Sequence, residues 1–165
     1  MTVFIMNIKI MCTYSELAFV KDLKPNPENP NKHPKEQIDH LVHLIKVHGW
    51  RHPIIVSKKT GTIATDHGRL IAAIILKMET VPVDYQDFDS YDSEFSFVVA
   101  DNAVALQAEL DIPAIQLKVL DMGQDFDPYD LGIADLFIPN VTESNDEKKE
   151  VLETLKICPE CGHEF

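Results

Sequence analysis

The chain has 165 residues, one domain's worth of length with room for a short appendage, and its 45% apolar and 25% charged residues exclude coiled-coil, collagen-like and wholly disordered chains. Its net charge of −12 divides unevenly, +4 over residues 1–80 and −16 over residues 81–165. Weak or absent direct DNA binding is therefore expected, because duplex binding needs Lys and Arg to neutralise phosphates.

The mildly basic first half can still hold one phosphate-bearing ligand, whereas the acidic half reads as a solvated surface. The cysteines at 12, 158 and 161 are too few for a disulfide scaffold, which predicts a reducing compartment such as the cytoplasm. No apolar run reaches the ~20 residues of a membrane span. Residues 1–11 are apolar but short, carry Lys9 and lack a small-residue cleavage site, so they do not read as a signal peptide.

Val3-Phe4-Ile5 to Ile8-Lys9-Ile10 alternates as a strand does. Residues 24–34 hold four prolines and three asparagines and read as a stiff, extended loop. Ile38, Leu41, Val42 and Ile45 then repeat at helical spacing, with Pro34 in the first turn and Gly49 as the stop. Residues 53–56 read as a buried strand, 58–61 as a turn and 63–65 as a second strand. That strand runs into Asp66-His67-Gly68-Arg69 and an apolar helix over 69–77, and Val81-Pro82-Val83 begins a third strand. Beyond it the pattern predicts helices over 93–110 and from Pro113 on, with Leu117 and Leu120 on one face, then a short mixed segment over 126–138. The organisation expected is a domain over 1–138 (core 13–90, helical extension 91–138), a polar linker over 139–156 and a tail over 157–165. No internal repeat is present.

Three places can carry chemistry. A strand that delivers Gly68-Arg69 into a helix start offers backbone N–H groups and a favourable dipole to an anion, and Arg69 can add a bidentate phosphate contact. Gly68 would let the backbone approach a ligand, His67 could donate to a phosphate or carry a proton, and Asp66 could hold a divalent cation or act as base. The plainer alternative is a turn in which Asp66 caps the helix and Arg69 makes a surface ion pair. In the loop 48–53, Arg51 and Trp50 could meet a nucleotide by charge and stacking, but core packing is the expectation for Trp50. His40 and His43 have metal-ligand spacing but no neighbouring cysteine, so they read as a solvated helix face. The tail, Cys158-Pro159-Glu160-Cys161-Gly162-His163, offers three zinc ligands, Cys158, Cys161 and His163. It is half of a ribbon, to be completed by a second chain or left without metal.

In order along residues 13–138, these segments resemble the ParB/sulfiredoxin-like superfamily, the ParB-like nuclease domain, in the variety that phages and mobile elements carry beside DNA methyltransferases. Asn29-Pro30 to Pro34 resembles the Asn-Pro segment before the first helix. Gly49-Trp50-Arg51-His52-Pro53-Ile54-Ile55-Val56 resembles the first box, and Asp66-His67-Gly68-Arg69-Leu70-Ile71-Ala72-Ala73 the second, the phosphate-binding one. Val81-Pro82-Val83 matches the closing strand, Ala100-Asp101-Asn102 the third motif, and Phe126-Asp127 to Leu131-Gly132-Ile133 a stretch of the methylase-associated variety. The resemblance implies an α+β fold, a small mixed sheet with flanking helices and a helical extension.

The resemblance further implies a nucleotide site of Gly49, Arg51, Pro53, Asp66, His67, Gly68, Arg69, Asp101 and Asn102, with Asp66 and His67 as the residues able to act as catalysts. The departures are specific. Asp66 stands where the second box usually begins with Gly, and Gly68 replaces one of two adjacent arginines. The third motif lacks its following Arg, and no cysteine lies near the second box, which excludes peroxiredoxin repair. No helix-turn-helix segment is read, so chromosome partitioning is not expected. The function expected is a nucleotide-binding module, with Mg²⁺ and a nucleoside triphosphate, that switches a partner such as a DNA methyltransferase. The alternatives are a metal-dependent nuclease or phosphotransferase in the same pocket, and a non-enzymatic adaptor homodimerised through zinc at its tail.

Overall fold

In the computed structural model, residues 8–122 and 126–133 are described, and the strand expected over 3–10 falls partly outside them. The linker and the Cys-x-x-Cys-x-His tail lie wholly outside them. The chain divides into two compact units, residues 1–108 and residues 109–165.

The first unit is built on a four-stranded mixed sheet of order β1-β4-β2-β3, from Glu16–Phe19 (β1), Ile54–Ser57 (β2), Ile63–Thr65 (β3) and Thr80–Gln86 (β4). β4 runs antiparallel to β1 and parallel to β2, and β2 and β3 form an antiparallel pair. Two helices, Lys35–His48 (α1) and His67–Ile75 (α2), pack on each other and close the core. A third, Tyr91–Ala105 (α3), packs against β3. The second unit holds Ile112–Met122 (α4), with Val119 buried, and a 3-10 turn at Pro128–Leu131.

The local sequence explains most of these elements. Ile38, Val42 and Ile45 form the buried stripe of α1, and Lys46 and His48 in its last turn complement the helix dipole. Gly49 ends the helix with φ +76° and ψ −179°, a conformation open almost only to glycine, and its N–H donates to the Ile45 carbonyl. The strands bury Ile54, Ile63, Val81 and Val83 completely, and Leu70, Ala72 and Ala73 of α2 complete the core. Trp50 is also fully buried, with its Nε1–H donating to the His52 carbonyl at 2.7 Å, so stacking of Trp50 on a ligand is ruled out.

Three expectations are corrected. Among the described residues the first strand in register with the sheet is Glu16–Phe19, and of the described part of the predicted stretch Ile10 makes an isolated bridge with Trp50. α2 begins at His67 rather than at 69, so the second box lies inside the helix start. α3 ends at Ala105 rather than at 110, and Leu106 just beyond it is 87% exposed.

Candidate functional site

The second box sits where β3 meets α2. Asp66 occupies the capping position with φ +72° and ψ +31°, and its side chain makes no capping bond to the helix. This left-handed conformation suits glycine, and another residue there costs about 1 kcal/mol, with Asp and Asn the most tolerant. The glycine that the resemblance leads one to expect here would adopt this conformation without strain, and Asp66 adopts it as well.

The Asp66 carboxylate is 89% buried and fully engaged. Its Oδ1 accepts from Arg69 Nη1, and its Oδ2 lies 3.0 Å from His52 Nδ1 and 3.4 Å from Thr65 Oγ1. Arg69 is 30% exposed and His52 55% exposed. The ion pair read as the plain alternative is thus present, without the capping bond that was expected to accompany it.

His67 turns the other way. It is buried, and its Nε2 accepts a 3.1 Å hydrogen bond from the Asn26 backbone N–H, which requires a neutral ring protonated on Nδ1. Burial lowers its pKa, His33 lowers it further, and Asp66 only partly opposes them. Gly68 faces α1: a Cβ there would come within 3.0 Å of Leu41 Cδ1 and 3.3 Å of His33 Nδ1. Its missing side chain lets the two helices approach, a packing role beside the one expected toward a ligand.

The first box meets the second through His52. Arg51 Nε donates to the His48 carbonyl at 2.7 Å, at the C-terminus of α1. Arg51, His52 and Pro53 line an open cleft of about 580 Å³ with Cys12, Tyr14 and Asp84. Burial pushes the Cys12 thiol up, against a backbone hydrogen bond and the nearby Arg69 charge, so the thiol stays protonated at neutral pH. Hydrogen bonds from Ser15 and then Gln86 hold the Asp84 carboxyl below its usual range. Gly49 does not line this cleft; a Cβ there would lie 2.6 Å from the Lys9 carbonyl oxygen.

The third motif stands apart. Asp101 is exposed on α3, and the Asn102 amide donates to the Val98 carbonyl at 2.7 Å. Among the described residues no hydrogen bond or ion pair joins either of them to Asp66 or Arg69. Nor does any group of three or more His, Cys, Asp or Glu among those residues converge to hold a metal. A Mg²⁺ ion would thus find Asp66 as its protein ligand and draw the rest from phosphates and water, the usual arrangement for Mg²⁺ carried by a nucleotide.

Sequence reasoning missed two features. His52 stands beside Pro53 in the first box, and that adjacency was its only local signal. Glu94 of α3 is 3% exposed and accepts from Ser57 Oγ at 2.7 Å and from Thr60 Oγ1 at 2.8 Å, fixing α3 to the β2–β3 turn. His40 and His43 both have contacts within the fold. Among the described residues no helix is long and apolar enough to cross a membrane.

A small mixed sheet whose strand–turn–helix carries Gly-Arg beside a Pro-containing first box is the frame of a ParB-like domain, and the comparisons agree. Over 78 residues the chain is 40% identical to the ParB-like nuclease domain-containing protein YnaK of Escherichia coli K12, a match that takes in 47% of this chain and 85% of that protein. The chain belongs to the ParB-like nuclease domain family. No family model matches it.

The C-terminally truncated chromosome-partitioning protein ParB from Caulobacter crescentus, complexed with CTP-gamma-S, shares the fold with a TM-score of 0.54 at 23% identity. That match covers 62% of this chain and 59% of the ParB chain, so this chain spans less than two thirds of it. A Pnob8-like ParB-N domain gives 0.46 at 21% identity, covering 67% of this chain and 46% of that one. The Caulobacter protein complexed to the centromeric parS site gives 0.46 at 19%, covering 88% and 74%.

Proposed function

We propose that this chain is a nucleotide-binding module of the ParB-like family, of phage or mobile-element type, that acts in DNA processing or modification as a switch for a protein partner such as a DNA methyltransferase. One observation carries the reading: Arg69, from the second box, and His52, from the first, meet on the Asp66 carboxylate, and His52 lines an open cleft together with Arg51. Arg69 binds phosphate, Arg51 touches the nucleotide, and Gly49 and Pro53 shape the first box. Asp66 serves a Mg²⁺ ion that arrives with the triphosphate, whose other ligands are phosphate oxygens and water. His67 and Gly68 seat the box against the Asn-Pro loop and α1. The tail residues Cys158, Cys161 and His163 would hold Zn²⁺ with a second chain, forming a homodimer. Cytidine triphosphate is the ligand to try first, since a structure of the same fold holds its analogue.

Thermal-shift measurements with CTP, ATP and GTP, with and without Mg²⁺, test this. A ligand at 100 times its Kd stabilises the native state by about 2.7 kcal/mol, several degrees for a domain of this size. Arg69→Ala leaves the fold intact and removes about 1.5–3 kcal/mol of binding. No shift with any nucleotide overturns the reading in favour of the adaptor.

The His52–Asp66 contact favours a second reading, phosphoryl transfer or nuclease chemistry in the same cleft. A carboxylate that orients an imidazole is the arrangement of a general base, with His52 in the place expected of His67. Turnover of a nucleotide or of DNA that His52→Ala abolishes, with binding retained, would establish it; binding without turnover leaves the switch.

A further inference from the structure

We infer that His52 and Arg69 form an anion site that the chain's own Asp66 carboxylate fills, so that Asp66 gates phosphate entry and selects an anion that arrives with a divalent cation. The inference rests on the phosphate role proposed for Arg69.

The donors gathered on Asp66 are a guanidinium, an imidazole and the Thr65 hydroxyl. Those three groups suit a phosphate oxygen as well as they suit a carboxylate. Asp66 meets them from a left-handed backbone that disfavours it, and without making the capping bond open to a residue at that position. Its carboxylate is held by the guanidinium and the imidazole rather than by the helix. His52, a member of this cluster, also lines the open cleft with Arg51 and Pro53, which offers a ligand its approach.

A bare phosphate must compete with a carboxylate already seated between His52 and Arg69, and two anions there repel each other. A divalent cation removes the conflict by bridging Asp66 to the phosphate, which leaves Arg69 and His52 to the incoming oxygens. Asp66 is then a specificity-determining residue. The glycine usual at this position would leave the anion site open to both kinds of ligand.

The test is calorimetric titration of the full chain with inorganic pyrophosphate in divalent-free buffer. Asp66→Asn removes the charge and keeps a residue that tolerates the left-handed backbone. It is expected to bind at least tenfold more tightly than wild type, and adding Arg69→Ala to it abolishes the gain. Mg²⁺ tightens the wild type and closes most of the gap. Equal affinity of wild type and Asp66→Asn overturns the inference, as does a gain that survives Arg69→Ala or a gap that Mg²⁺ leaves open. The two readings fail separately. Nucleotide binding by wild type with no Asp66→Asn effect sinks only the gate; pyrophosphate binding by Asp66→Asn with no nucleotide bound by wild type sinks only the nucleotide.

Discussion

The Nε2 atom of His67, in the first turn of α2, accepts the backbone N–H of Asn26 across 3.1 Å, and so ties the second box to the Asn-Pro loop 41 residues earlier. Protonation of His67 turns this acceptor into a donor that faces another donor, and it adds a cation beside His33. The imidazole is therefore held neutral, with its pKa lowered first by burial and then by His33.

The sign of the pH dependence follows. The unfolded chain takes up a proton on this residue near pH 6.5, while the native state resists until a lower pH. The contribution of His67 to stability is fully present above about pH 6.5 and is lost as the pH falls through its lowered native value. His33 and Asp66 face it and are present in both states of the comparison. Urea unfolding at pH 7.5 and 5.5 checks this. Wild type should lose more stability on acidification than His67→Gln does, and equal losses would mean that the buried ring is not held neutral.

Glu94 is a buried carboxylate, and hydroxyls rather than a cation satisfy it. Ser57 Oγ donates to one of its oxygens and accepts from the Lys59 and Thr60 backbone N–H groups, while Thr60 Oγ1 donates to the other. Glu94→Ala leaves the Ser57 hydroxyl without its acceptor and frees α3 from the β2–β3 turn. The expected cost is about 1.5–3 kcal/mol, the range for hydrogen bonds to a charged group. In a double-mutant cycle, Ser57→Ala with Glu94→Ala should cost less than the two single changes together, because each removes the same bond. Additive costs in chemical denaturation would show that the two residues act independently.

Much of the first unit was legible because its signals are local. The Ile38–Val42–Ile45 stripe, the Gly49 stop and the apolar runs of β2 and β3 each say what they form without reference to the rest of the chain. β1 was not legible. In Glu16-Leu17-Ala18-Phe19 alternation points to Leu17 and Phe19 as the inward pair, yet both are 45% exposed, and Ala18 is the residue packed against the core. Its strand character comes from pairing with β4, some 60 residues away. The site divides in the same way. The strand–turn–helix that presents Arg69 could be read from residues 63–77. The capture of Arg69 and His52 by Asp66, and the inward turn of His67, depend on groups that only the folded chain brings together. Glu94 reads as one more surface acid until Ser57 and Thr60 close over it from 37 and 34 residues away.

Gly49 fixes where the first box begins, and two independent features of it resist substitution. Its backbone, φ +76° with ψ −179°, lies in a region that side-chain-bearing residues enter at a cost of order 1–3 kcal/mol. A Cβ there would also stand 2.6 Å from the Lys9 carbonyl oxygen, the acceptor of the Trp50 N–H. That neighbour is backbone, so it cannot swing aside as a side chain would. Gly49→Ala should therefore cost about 3 kcal/mol, at the upper end of the strain range with some overpacking added. It should also disturb the Ile10–Trp50 bridge and, through Trp50, the carbonyl of His52 and the cleft beside it. Urea unfolding gives the first quantity and nucleotide titration of the folded variant the second. A variant as stable as wild type would show that the loop around Lys9 yields freely. Weakened binding in a variant that still folds would place the effect of Gly49 in the shape of the first box, the role proposed for it.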